Sequence, residues 1–169
     1  SYVQDVTSPS KVVPVFTGRW WRFSFSDRFD KFPVDVSRLR DALGDYCADL
    51  EPHYLLEKSN ITTAMNTLVR RTAETTLGQV KRTIDGFPTT WASYWQPATD
   101  EEEFGTYGAA GNNFGMRAEF ACGDGEQCLL LRGDPLYQDF AHVQHLVAVR
   151  ATIQAMLLMQ YQEQQRIEQ

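Results

Sequence analysis

The period of the hydrophobic positions changes several times along this chain, and the longest regular stretch is the last. Asp134-Pro135 opens it, an N-cap aspartate followed by a proline at the first helical position, where the missing N–H costs nothing. Neither Gly nor Pro follows to the end of the sequence. Apolar residues fall on nearly every helical face, among them Phe140, Val143, Leu146, Val147, Ile153, Met156, Leu157, Leu158 and Met159. Arg150 is the only formally charged side chain between Phe140 and Tyr161. A surface helix carries one apolar stripe, whereas a helix apolar all round is buried on all sides. His142, Gln144, His145, Arg150, Gln154 and Gln160 interrupt the run and argue against a membrane span. The pattern predicts a helix about 50 Å long that is central to the fold or covered in part by another chain.

Earlier segments show other periods. Trp21, Phe23 and Phe25 alternate with Arg22, Ser24 and Ser26, which predicts a half-buried strand over 20–26. Val36, Leu39, Leu43, Tyr46, Cys47 and Leu50 recur at helical spacing, and Pro52 stops that helix. Asn60 or Thr62 caps the next helix, which Gly86 and Pro88 end. Its many threonines are weak helix formers, so it depends on packing. Met116 to Phe120 alternate, Gly123-Asp124-Gly125 is turn chemistry, and Cys128 to Leu131 return as the second strand of a hairpin. Ser8-Pro9-Ser10 and Pro14 predict an extended N-terminal arm over 1–18. The expected fold is α+β and mostly helical. Three main helices, near 35–50, 61–85 and 135–165, accompany a small antiparallel sheet from 20–26, 115–121 and 127–132. The arm precedes one globular domain, 19–169.

Composition narrows the function classes. The chain has 169 residues, 43% of them hydrophobic and 12% aromatic, which excludes general disorder. The net charge of -6 does not steer the surface as a whole toward nucleic acid. The basic residues are 4 Lys and 12 Arg, a bias toward fixed, bidentate contacts with carboxylate or phosphate. Three cysteines give no complete disulfide framework: Cys122 and Cys128 flank a turn and could pair, but Cys47 would remain. The first residues lack the basic and apolar regions of a secretory leader. A reducing compartment is the simpler reading, and the expected setting is the cytoplasm or a virion, with no membrane partner.

Few residues invite chemistry. His142 and His145 stand three apart on the long helix, short of the three or four convergent ligands that a zinc site needs, so no metal or other cofactor is expected. No nucleophile elbow is present, and no catalytic set is visible. The Gly-rich run Gly105 to Gly111 matches neither phosphate-binding fingerprint. With Trp91, Trp95, Tyr107 and Gly108 it outlines a possible ligand pocket in the 91–114 segment. The most coherent polar feature lies on the second helix. Arg70-Arg71 and Lys81-Arg82 are separated by close to three whole turns, about 16 Å, and share a face. Such pairs could straddle a phosphate backbone or meet internal carboxylates.

Two short stretches resemble known families. Ser1-Tyr2 with Thr7-Ser8-Pro9-Ser10-Lys11 is similar to the start of tobamovirus coat proteins, which are also acidic, Lys-poor, Thr-rich and largely helical. That family's four-helix bundle with a short C-terminal tail does not map onto a chain whose longest helix comes last. Phe104 with Tyr107-Gly108, Gly111, Phe114-Gly115 and Phe120 resembles a motif of a family of uncharacterised bacterial domains, where Trp often stands at the position of Phe104. The first expectation for function is a non-enzymatic, self-assembling subunit of the coat or filament type that partners itself. In it the Arg70, Arg71, Lys81 and Arg82 stripe would hold any nucleic acid. The alternatives are a small bacterial enzyme or effector with its site in 91–114, and a helical adaptor that binds a protein partner through the long helix.

Overall fold

The computed structural model describes residues 2–12, 29–44, 60–95 and 117–168. In chain order these form helices α1 (Tyr2–Thr7), α2 (Pro9–Val12), α3 (Val36–Gly44) and α4 (Ile61–Lys81), and a 3₁₀ turn, Trp91–Trp95. Strands β1 (Arg117–Ala121) and β2 (Gln127–Leu131) and helix α5 (Pro135–Ile167) follow. The fold is α+β and mostly helical, with the three expected main helices, a small antiparallel sheet and a long C-terminal helix.

Local chemistry sets the helix starts. The Asp35 carboxylate accepts Arg38 N–H at 3.1 Å and the Ser37 hydroxyl at 2.9 Å, which caps α3. Asn60 accepts Thr63 N–H at 2.9 Å ahead of α4, and Asp134 accepts Leu136 N–H at 2.8 Å ahead of α5. Each cap satisfies one of the N–H groups that a helix start leaves without an intrahelical partner. Helix α4 stops at Lys81, short of the expected residue 85, because Arg82 turns extended. Thr83 and Thr90 then bridge antiparallel, and Ile84 N–H donates to Thr89 C=O at 2.9 Å. Gly86, at φ +79°, makes the tight turn that glycine adopts without penalty. The extended segment carries Ile84 fully into the core.

The N-terminal reading needs correction. Residues 2–12 are helical and not an extended arm. Pro9 is the first residue of α2, where proline removes no needed donor. Thr7 and Ser8 are buried, and the Ser8 hydroxyl donates to Asp30 at 2.9 Å. Helix α1 packs on α4 and α5, so this segment is part of the body. Residues 13–18 lie outside the described residues, as does the strand expected over 20–26.

Strands β1 and β2 pair antiparallel with Arg117 opposite Leu131 and Ala118 opposite Leu130. Ala118 and Leu130 are both buried and face the Trp91–Trp95 turn. Asp124 (φ 64°) and Gly125 (φ 76°) make the turn. It brings the Cα atoms of Cys122 and Cys128 to 5.8 Å, and a disulfide joins them, the pairing that the sequence left open.

Helices α4 and α5 run antiparallel. Val80 shares a cluster with Phe140 and Ala141, Thr76 bonds Gln144, and Ala64 and Leu68 pack with Leu158. The buried positions of α4 are Ala64, Leu68, Thr72, Thr76 and Val80, one ridge of every fourth residue. Thr72 and Thr76 go inside because their hydroxyls donate back to Leu68 and Thr72 C=O, at 2.8 and 3.1 Å. On α5 the buried set is Tyr137, Phe140, Ala141, Gln144, Ala151 and Leu158. The helix is therefore not buried all round. One seam is covered, while Met156 and Met159 are 66% and 62% exposed. Helix α5 has 33 residues and α4 has 21, so α4 cannot shield its full length or circumference.

Gln144 sits where α1, α4 and α5 meet. Its amide donates to Thr7 C=O at 3.0 Å and to the Thr76 hydroxyl at 3.1 Å. Its own oxygen accepts no hydrogen bond, so replacement also removes one unsatisfied acceptor. Gln144→Leu is expected to lower unfolding free energy in urea by about 1–2 kcal/mol, against less than about 0.5 kcal/mol for Gln164→Leu on the exposed end. Equal effects at the two sites would contradict a joint at Gln144.

Candidate functional site

The basic residues of α4 come first. Arg70 and Lys81 lie on the side of the helix away from its buried ridge, and Arg71 flanks it; Arg82 is the C-terminal cap. All four are exposed. Arg70 reaches Glu74 at 3.0 Å, one turn on, with both side chains more than half exposed. A pair of that kind contributes little stability. The stripe is thus a surface feature, and Arg70 in it is already paired.

Of the expected aromatic pocket in 91–114, the described residues include Trp91 and Trp95. Trp91 and Trp95 are buried in the core. Trp91 stacks on Phe140 with centroids 4.5 Å apart, and Trp95 meets Phe29 edge-on at 6.0 Å. The spacing of Trp91, Tyr94 and Trp95, i, i+3 and i+4, puts the three rings on one side of the turn, against Tyr137 and Phe140. That spacing was the available signal for core packing. The Tyr94 phenol donates to Leu131 C=O at 3.5 Å, and burial, with the Asp134 carboxylate second, raises its pKa well above the ordinary value. It therefore stays protonated and is no general base at neutral pH. Tyr107 and Gly108 lie outside the described residues.

The histidines of α5 do not stand on open surface. A cleft of about 500 Å³ lies between the start of α5, the turn before it and the segment leading into α3. Its lining includes Phe32, Pro33, Val34, Arg38, Arg132, His142 and His145. A smaller hollow of about 210 Å³ adjoins it across Phe32, Val34 and His145. Arg38 and Arg132 escaped the sequence reading because they are far apart in the chain and no spacing relates them. Among the described residues no group of three or more His, Cys, Asp or Glu could hold a metal ion.

The distal half of α5 presents a long uncharged surface. Arg150 donates to Ala42 C=O on α3 at 3.4 Å. From Ala151 to Gln162 no side chain is formally charged. Met156 and Met159 are exposed three residues apart, and Ile153 and Leu157 are half-buried. No helix among the described residues is long and apolar enough to cross a membrane.

Comparison with known protein families, with curated proteins and with solved structures finds no match for this chain. The two short resemblances therefore rest only on the residues that carry them.

Burial, and secondarily the neighbouring His142, lowers the His145 pKa from its ordinary 6.5. The folded state then binds this proton less tightly than the unfolded chain does. Its stability is undiminished above pH 6.5 and falls as the pH drops through that value toward the lower folded one. His145→Gln is expected to flatten the dependence of unfolding free energy on pH below 6.5. An unchanged slope in urea titrations at a series of pH values would contradict this.

Proposed function

We propose that this protein is a structural subunit of the coat or filament type, and that a second copy packs on the distal half of α5. The observation that carries the reading is the uncharged stretch Ala151–Gln162 with Met156 and Met159 exposed on it. Single exposed apolar residues are ordinary. Two methionines a turn apart, on a dozen residues without charge, are a different surface. At a net charge of -6 two copies repel through most approaches. This stretch is where they meet without opposing charges. Methionine side chains adapt to a partner surface.

The Cys122–Cys128 disulfide fits a particle that meets an oxidising exterior, such as a virion, better than a protein kept in reduced cytoplasm. Where the assembly holds nucleic acid, Arg71, Lys81 and Arg82 are the contact residues, with Arg70 shared with Glu74. The burial of Trp91 and Trp95 removes two of the residues on which a ligand pocket in 91–114 would rest.

Sedimentation or light scattering at two concentrations tests the proposal. The expected result is a mass that grows with concentration for the wild type and a monomer at both concentrations for Met156→Glu/Met159→Glu, with unchanged circular dichroism. A wild-type monomer throughout would overturn the reading. The absorbance ratio at 260 and 280 nm of the same material, measured at low salt, reports any co-purifying nucleic acid. Arg71→Glu/Arg82→Glu should abolish that signal without disturbing the mass or the fold.

A further inference from the structure

We infer that the cleft between the α3 entry segment and the start of α5 binds a small organic acid, a carboxylate or a phosphate ester with an apolar body, and that Arg132 holds its charged end. The cleft volume of about 500 Å³ lies within the range of small-molecule sites. Phe32, Pro33 and Val34 give it apolar lining. Arg132, His142 and His145 are among its polar lining.

The charges around the cleft are unevenly satisfied. Asp35 accepts the Ser37 hydroxyl and Arg38 N–H, and Asp134 caps α5. Arg38 reaches Asp139 at 2.9 Å. Arg132 is half-buried, and no ion pair or side-chain hydrogen bond of the described residues engages its guanidinium. His142 Nδ1 is buried without a partner. A half-buried guanidinium beside apolar lining presents a planar fork of donors that matches a carboxylate or phosphate bidentately. His142 Nδ1 adds a further donor when it carries the ring proton. The lining holds two guanidiniums, Arg38 and Arg132, against one carboxylate, Asp35. Because Arg38 is already paired with Asp139, Arg132 is the lining cation left to meet an anion. It uses none of the residues from 151 to 162, so it stands or falls separately from self-association.

The test uses the full chain, titrated with benzoate, with phenyl phosphate and with neutral benzyl alcohol, and read by calorimetry and by the histidine ring resonances. The expected result is one saturable site for at least one acid, with shifts at His142 and His145 and benzyl alcohol weaker by about tenfold or more. The tighter of the two acids identifies carboxylate or phosphate as the preferred head group. Arg132→Gln should weaken the acid by about tenfold, and Arg132→Lys, which keeps charge but not the fork, by less. Saturation by neither acid, equal binding of the alcohol, or a folded Arg132→Gln that binds as the wild type does would overturn the inference. If Arg132→Gln fails to fold, the comparison of benzoate with benzyl alcohol on the wild type decides alone.

Discussion

The packing of α4 on α5 is the constraint on which the other elements depend. Its middle is built from small and hydroxylated side chains: Thr72 and Thr76 on one helix, Ala141 and Ala151 on the other, with Gln144 between. Small residues let two backbones approach closely, and the threonine hydroxyls donate to their own helix, which leaves the Thr76 oxygen to accept Gln144 across the seam. The ends of the seam are filled differently. Toward the start of α5 lies an aromatic cluster, in which Trp91, Tyr94, Trp95, Tyr137 and Phe140 pack edge-on, tilted and stacked. Toward its far end the buried cluster of the described residues is Ala64, Leu68 and Leu158. Among the described residues, the seam is therefore well covered at one end and thinly covered at the other.

That asymmetry places the two surfaces of functional interest. Near the aromatic end, the 29–35 segment and α3 lean on the first turns of α5 and leave a hollow whose polar residues are only partly paired. Near the thin end, α5 outruns α4 and shows uncharged side chains to solvent. The histidines belong to the first region, and Met156 and Met159 to the second. A ligand at one and a second copy at the other involve no shared residue.

What the sequence revealed was what local chemistry decides. Asp134-Pro135 marks the start of α5 because a cap and a first-turn proline act within a few residues. The hairpin about Gly123–Gly125 is legible for the same reason. The early stop of α4 was not legible, since it follows from the complete burial of Ile84 by partners distant in the chain. The helical N-terminus was misread because Pro9 was weighed as a breaker, although it stands at the one helical position that tolerates it. Trp91 and Trp95 were assigned to a pocket on composition, while their helical spacing with Tyr94 pointed to one packed face. Arg132 could not have been singled out at all. Its role follows from the neighbours that the fold assembles around it, and none of them is near it in a readable pattern.

Hydrogen exchange along α5 at low and high protein concentration addresses the central claim most directly, because it reads each turn of the helix separately. The account predicts that amides in the 153–161 stretch become more protected as concentration rises, while those of 137–144, already covered within one copy, do not change. Protection that is independent of concentration in 153–161, or a concentration effect confined to 137–144, would contradict it.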